Sequence, residues 1–429
     1  MLKEVKRKKR TRALYKIPIG FRVLTLVMLV VLVIFISLAA AFRIMRTKGK
    51  KSLYNGLQNS APVLPGFVER VTDGSFESGP FGSKETYGSG EASENGADST
   101  VDIAENGENA ASLLKPVNMD ASQNGGVQNG NSQQGAGGQS YVPKEGDVSY
   151  NGHIYRYNSD VLTFLLMGID STETVPSGGG QINYLKGGQS DMMFLAVMNP
   201  HSKELSLIAI NRNTMTDIDM YRSDGSFLRT AKAQICVQHG YGDGRELSCE
   251  RAVQTVSEML YELPIHGYFS VRLGGIIEVN DSVGGVTLTT QKDYEPLGFK
   301  AGETVTLDGD QAYSFLRKRD TAVFDSATDR LNRQKLYLSG LLKSVKEKMS
   351  SNISFPVTLY RDLNPYMVTN ISADEVAYLA SEINGYSIGK AKIYSLPGET
   401  VMGRVFEEFY LDEKGVTELI LKIFYEAVN

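Results

Sequence analysis

MMFLAVMNPHSKELSLIAIN, residues 192–211, sets two apolar runs on either side of Pro200–Lys203. Runs this short and continuous suit strands buried on both faces of a sheet rather than amphipathic helices. The short link between them predicts a hairpin. Working outward, VLTFLLMGID (161–170) is a third run of the same kind, and it ends in an aspartate. YNGHIYRY (150–157) reads as a smaller hairpin with Asn-Gly at its turn. Helical spacing follows: Leu247, Val253, Val256 and Leu260 recur along 246–263. Further helices are predicted over 271–285, ahead of the strand VTLTT, over 327–349 and near 412–427, with the strand AKIYSLPG (391–398) before the last. Buried strands alternating with helices predict an α/β domain over 146–429, a central mixed β-sheet flanked by helices.

Upstream of this body the composition changes twice. The first 51 of the 429 residues carry fourteen Lys/Arg and one acid, Glu4, whereas the remainder carries 31 basic and 48 acidic residues. A body that acidic lacks the basic face that general nucleic-acid binding needs, so no nucleic-acid partner is expected. Val23–Phe42 is twenty residues without charge or proline. At ~1.5 Å per residue it is long enough to cross a bilayer core, too long for a signal-peptide core, and is expected to be an uncleaved anchor. The more basic flank, residues 1–22, is expected to stay in the cytoplasm, which places the C-terminal domain outside a single-pass cell-membrane protein. Residues 43–145 are rich in Gly, Ser and Asn; ASQNGGVQNGNSQQGAGGQS (121–140) has almost nothing to bury. That composition predicts a flexible extracellular linker. Cys236 and Cys249, the only cysteines, are either a disulfide closing a short extracellular loop or two separate core residues.

Chemistry concentrates in FLRKRDTAVFDSATDRLNRQK (315–335). Arg330, Arg333, Gln334 and Tyr337 share one face of the helix beginning near Thr328. Arg317 and Arg319, two apart in what reads as an extended segment, point the same way. Guanidinium forks at a helix N-terminus match phosphate oxygens; the competing reading is an ion-pair network with Asp320, Asp325 and Asp329. Asp170 and Asp191 stand at strand ends, where open α/β sheets keep their sites. Two carboxylates sharing a cation with phosphate oxygens is a common way to hold Mg²⁺. Arg212 follows the strand 204–211 at a similar position. The chain has four histidines, none in a nucleophile or metal motif, and no GxSxG, HExxH or GxxxxGK[ST]. Phosphoryl transfer to a hydroxyl fits these residues. A binding protein holding the same ligand without transfer, or a scaffold with ion-paired arginines, stays open. Gly178–Gly180 with Gly187–Gly188 read as a mobile loop between the two aspartates.

LLMGID (165–170), QSDMMFLAVMNPHSKELSLIAINRNT (189–214), LPIHGYF (263–269), NDSVGGV (280–286), LDGDQAYSFLRKRD (307–320) and DRLNRQ (329–334) together resemble the LytR–CpsA–Psr family of Gram-positive cell-envelope proteins. The resemblance covers Tyr150 to the C-terminus. It implies a Mg²⁺-dependent phosphotransferase that moves a glycopolymer, of the teichoic acid or capsule class, from a polyprenyl-pyrophosphate carrier to peptidoglycan. By motif match it implies metal ligation by Asp170 and Asp191. Arg212, Arg317, Arg319, Arg330 and Gln334 then fall where the family grips pyrophosphate, with Arg333 beside them and the lipid tail between sheet and helices. The chain departs from the family pattern at Gln189, where Arg is frequent, and at Asn213, where Asp is usual and a charge is lost; the interval from Asp170 to Asp191 is also long.

Overall fold

The computed structural model describes residues 41–55, 60–71, 141–175, 187–352, 354–383, 385–387 and 391–428. The expected cytoplasmic tail, all but the last two residues of the expected anchor, the segment 121–140 and Gly178–Gly180 lie outside the described residues. Among the described residues no helix is long and apolar enough to cross a membrane.

The stretch 192–211 forms the middle of the molecule. β5 (Ser190–Asn199) and β6 (Glu204–Ile210) pair antiparallel, and β4 (Leu162–Ile169) pairs antiparallel with β5 on its other side. The six-stranded sheet runs β12 (Met367–Thr369), β9 (Gly267–Arg272), β4, β5, β6, β13 (Lys392–Ser395). It is mixed, because β9 lies parallel to β4 and β13 parallel to β6. Consecutive residues of each central strand enter opposite apolar layers. Leu165, Leu195 and Ile208 face α2 (Glu246–Met259) and α8 (Glu413–Phe424). Phe164, Phe194 and Leu207 face α5 (Ser326–Ser351) and α7 (Ala373–Ile383). Burial on both sides is why these strands read as unbroken apolar runs. A third cluster joins α3 (Gly275–Ser282), α4 (Gly309–Arg317) and α5 around the hairpin of β10 (Val286–Thr289) and β11 (Thr304–Leu307).

Three sequence expectations change. Residues 271–285 are not one helix: β9 takes Val271 and Arg272 into the central sheet, and α3 starts only at Gly275. Residues 41–55 form a helix, α1, whose Leu53 is buried against the α7 face. Residues 60–71 also join the body, with Val63 N–H donating to Tyr261 O at 2.7 Å and β1 (Glu69–Arg70) pairing with β2 (Val148–Tyr150). These two pieces, assigned to the linker apart from residues 41 and 42 of the expected anchor, are held by scattered apolar residues that find partners only in the tertiary fold. The Asn-Gly hairpin between β2 and β3 (His153–Tyr157) forms as expected, with Asn151 and Gly152 both at positive φ.

A buried histidine, His239, and a half-buried one, His266, give the fold a pH dependence. Burial pushes the pKa of His239, whose Nδ1 lies 3.2 Å from Gly188 O, from the ordinary 6.5 down to about 4, and does the same to His266. The unfolded chain therefore takes up these protons first as the pH falls. Stability from both groups is complete above pH ~6.5 and is lost as the pH falls toward ~4, by about 2 kcal/mol each at pH 5. Thermal melts at pH 7 and pH 5 should show the loss, and His239→Gln should flatten it; identical slopes in the two proteins would refute the assignment.

Candidate functional site

The sheet order brings one end of three strands together. Asp170 follows β4, Asp191 is the second residue of β5, and Arg212 lies just beyond β6. Asp170 N–H donates to Gln189 O at 2.9 Å, which ties the end of β4 to the start of β5. α5 crosses this same end: Asn211 Nδ2 donates to Thr328 Oγ1 at 3.1 Å, and Arg330 is carried down onto the sheet.

Asp191 is gripped from both sides. Arg330 Nη1 lies 2.8 Å from its Oδ2, and Arg212 Nη1 pairs with its Oδ1. Arg212 Nη2 also donates to Gln189 Oε1 and, at 2.9 Å, to Cys236 Sγ. Gln334 Nε2 reaches Asp191 O at 3.5 Å. Burial opposes the charge of Arg212, but Cys236, Asp191 and Asp170 outweigh it and hold its pKa above the ordinary value. Arg319 is shifted the other way: burial and then the like charges of Arg330 and Arg212 lower its pKa, against the pull of Asp191 and Glu407. Cations thus outnumber the carboxylate between them. Two buried guanidinium nitrogens, Arg212 Nε and Arg330 Nη2, have no hydrogen-bond partner. A buried donor without a partner is costly, and an anion bound here would satisfy both.

The other expected residues separate from this cluster. α4 is started by a capping box between Asp308 and Gln311 and continues through Arg317. Arg317 and Arg319 therefore do not share an extended segment, and the exposed Arg317 guanidinium stacks 5.7 Å from the Tyr313 ring. Only its backbone approaches, with Arg330 Nη1 at 3.5 Å from Arg317 O. Arg333 is turned away: it donates to Phe315 O at 3.0 Å, pairs with Asp329 at 2.8 Å and lies 4.8 Å over the Tyr294 ring. On a helix three residues are 60° short of a full turn, enough to put Arg330 on the sheet and Arg333 in the next groove. Cys236 and Cys249 are both free and buried, so the candidate disulfide is absent. Cys236 Sγ faces Arg212, while Cys249 Sγ lies 3.7 Å from His239 Nε2.

A cavity of about 560 Å³ opens beside the guanidinium cluster. Gln189, Arg212, Asn213 and Arg319 form its floor, and Phe324, Val405 and Phe406 its mouth. The far wall is a hairpin absent from the sequence expectations, β14 (Gly398–Met402) with β15 (Glu407–Leu411). Phe409 N–H donates to Asn213 O at 2.9 Å, and Asn213 Nδ2 lies 3.3 Å from Glu407 Oε2. Glu407 was missed in the sequence, and Cys236 was read as a disulfide or core residue with no link to Arg212. Glu407 stands in no motif and is 194 residues from Asn213.

The LytR_cpsA_psr family model matches residues 126–421. The chain belongs to this family. It is 28% identical over 267 residues to the polyisoprenyl-teichoic acid–peptidoglycan teichoic acid transferase TagU of Enterococcus faecalis, covering 61% of this chain and 78% of that protein. Biofilm regulatory protein A of Streptococcus mutans is 26% identical over 255 residues, covering 55% of this chain and 56% of that protein. The crystal structure of B. subtilis TagV superposes with a TM-score of 0.47 at 23% identity, covering 61% and 94% of the two chains. TagT bound to LI-WTA superposes with a TM-score of 0.46 at 20% identity, covering 61% of this chain and 89% of that one. In this LytR–CpsA–Psr protein the apolar runs, Asp170, Asp191, Arg212, Arg330 and Gln334 all fall within the matched region.

Proposed function

We propose that this protein transfers a teichoic-acid-type glycopolymer from a polyprenyl-pyrophosphate carrier to peptidoglycan, with the pyrophosphate held by Arg212, Arg319 and Arg330. The observation that carries this reading is the pair of unpartnered, buried guanidinium nitrogens aimed at one end of the sheet. Relatives that bear the transferase name align with this chain over 253–279 residues. The anion supplies the missing acceptors, and preorganised guanidiniums stabilise charge on the leaving phosphate. Arg330, 4% exposed and carried by α5 against Asp191, is too constrained to reorganise at the moment of reaction.

Mg²⁺ belongs to the same proposal. Asp170 and Asp191 offer hard oxygen donors at adjacent strand ends, and among the described residues no group of three His, Cys, Asp or Glu could hold an ion. That donor set fits a cation shared with substrate phosphates once those phosphates take Arg212 and Arg330 from Asp191. Asp170 and Asp191 would hold it, and when bound it would neutralise phosphate charge. The anchor over 23–42, with residues 1–22 in the cytoplasm and the body outside, is likewise proposed from the sequence alone.

The full chain in detergent, given a polyprenyl-pyrophosphate-linked teichoic acid precursor, peptidoglycan oligomers and Mg²⁺, should form a covalent polymer–peptidoglycan product and release polyprenyl phosphate. One observation favours a second reading, a non-catalytic binder: both oxygens of Asp191 already face guanidiniums. Tight binding of the precursor with no product would select that reading and end the transferase one.

A further inference from the structure

Resting on the transferase reading, we infer that Glu407 is the general base that deprotonates the acceptor hydroxyl, and that the cavity it shares with Arg212 and Arg319 is the acceptor side of the site. Transfer to a hydroxyl needs a carboxylate that is open to solvent, beside the phosphate, and not neutralised by a cation. Asp191 fails the last condition, being paired with Arg212 and Arg330. Glu407 meets all three. It is half-buried, lines the cavity with Arg212 and Arg319, and forms no ion pair among the described residues.

Its position is held independently of any ligand. Asn213, 3% exposed, offers its amide to Glu407 Oε2. Gln234 Nε2 donates to Glu407 O at 2.7 Å, and Thr400 Oγ1 donates to Asp325 Oδ1 at 2.7 Å, tying the hairpin to the start of α5. One oxygen of Glu407 is thus oriented by a neutral amide and the other is left to accept a proton. An aspartate at 213 would place a like charge against it; an asparagine does not. The cavity mouth carries exposed apolar side chains, Phe324 at 54% and Phe406 at 65%, a surface suited to the C–H face of a sugar ring.

In the step, the acceptor hydroxyl oxygen attacks the glycopolymer-bound phosphorus. A new P–O bond forms, the P–O bond to polyprenyl phosphate breaks with its electron pair leaving on that group, and the hydroxyl proton passes to Glu407. The charged groups around Glu407 are Arg212 and Arg319 across the cavity, Arg404 in the hairpin turn, and Glu408, which accepts from Tyr410 O–H at 2.6 Å. Beneath the hairpin, Asp325 is bonded to Thr400, and Asp217 on the neighbouring β-hairpin is paired with Lys232.

The test uses the full chain, the same precursor and peptidoglycan oligomers, with kcat followed against pH and precursor Kd measured separately. Glu407→Gln should lower kcat by about 10²- to 10⁴-fold with Kd within about twofold, and should remove the acid limb of the pH profile. Glu407→Asp should restore part of the rate. Asn213→Asp should move the acid limb to higher pH, and this arm stands even if Glu407→Gln does not fold. A Glu407→Gln protein that transfers at the wild-type rate, loses precursor binding together with turnover, or keeps its acid limb would overturn the assignment, as would an unmoved limb in Asn213→Asp. Wild-type protein that binds precursor and transfers nothing would instead remove the transferase reading on which the assignment rests.

Discussion

Replacing Asp191 with alanine should lower the unfolding free energy by about 3–5 kcal/mol, as expected when one partner of a buried ion pair is removed, and should abolish transfer. The stability loss follows from what remains. Arg330 and Arg212 would face each other with no counter-charge, in a place where their side chains are 5% and 13% exposed. Urea denaturation of the variant measures the first effect. Adding Arg330→Met should recover much of the stability and none of the activity, because a buried charge is removed while the anion site stays broken. Pyrophosphate should raise the melting temperature of Asp191→Ala more than that of the wild type, since it binds the folded state and replaces the lost carboxylate. An Asp191→Ala protein as stable as the wild type would show that the cluster is not the buried triad described.

Arg212→Ala should cost about 10²- to 10³-fold in transfer, the range found when one preorganised donor is removed from developing charge. Arg212 touches Asp191, Gln189 and Cys236 at once and still keeps Nε without a partner. Lysine at this position should not restore activity, because its single ammonium cannot serve those contacts and a phosphate together. Single-turnover rates with saturating precursor, compared with precursor Kd, separate a loss of binding from a loss of turnover. Wild-type rates in Arg212→Lys would mean that a point charge suffices and that the guanidinium fork has no role.

Much of the candidate site was legible because strand ends are legible. Once 161–170 and 192–211 are read as buried strands, Asp170, Asp191 and Arg212 must fall at an end of the sheet. The helical spacing of Arg330 and Gln334, with its pairing to a helix N-terminus, places them on one face. The same logic failed for Arg317 and Arg333. Which side of a helix meets the sheet is decided by packing, and α4, a helix the sequence reading did not include, takes Arg317 as its last residue and so separates it from Arg319. Glu407 had no signal at all, since an exposed-looking EEF triplet becomes part of a site only when the β14–β15 hairpin docks on Asn213.

Local periodicity and composition were sufficient for the layered α/β sheet, its central strands and the acidic body, because alternation across a sheet and burial of apolar runs are written into neighbouring residues. Tertiary structure alone decided that Arg212 and Arg330 close on one carboxylate, that the two cysteines stay apart, and that α1 and residues 60–71 join the body. Those outcomes depend on contacts between segments far apart in the chain, where no short-range pattern specifies the partner.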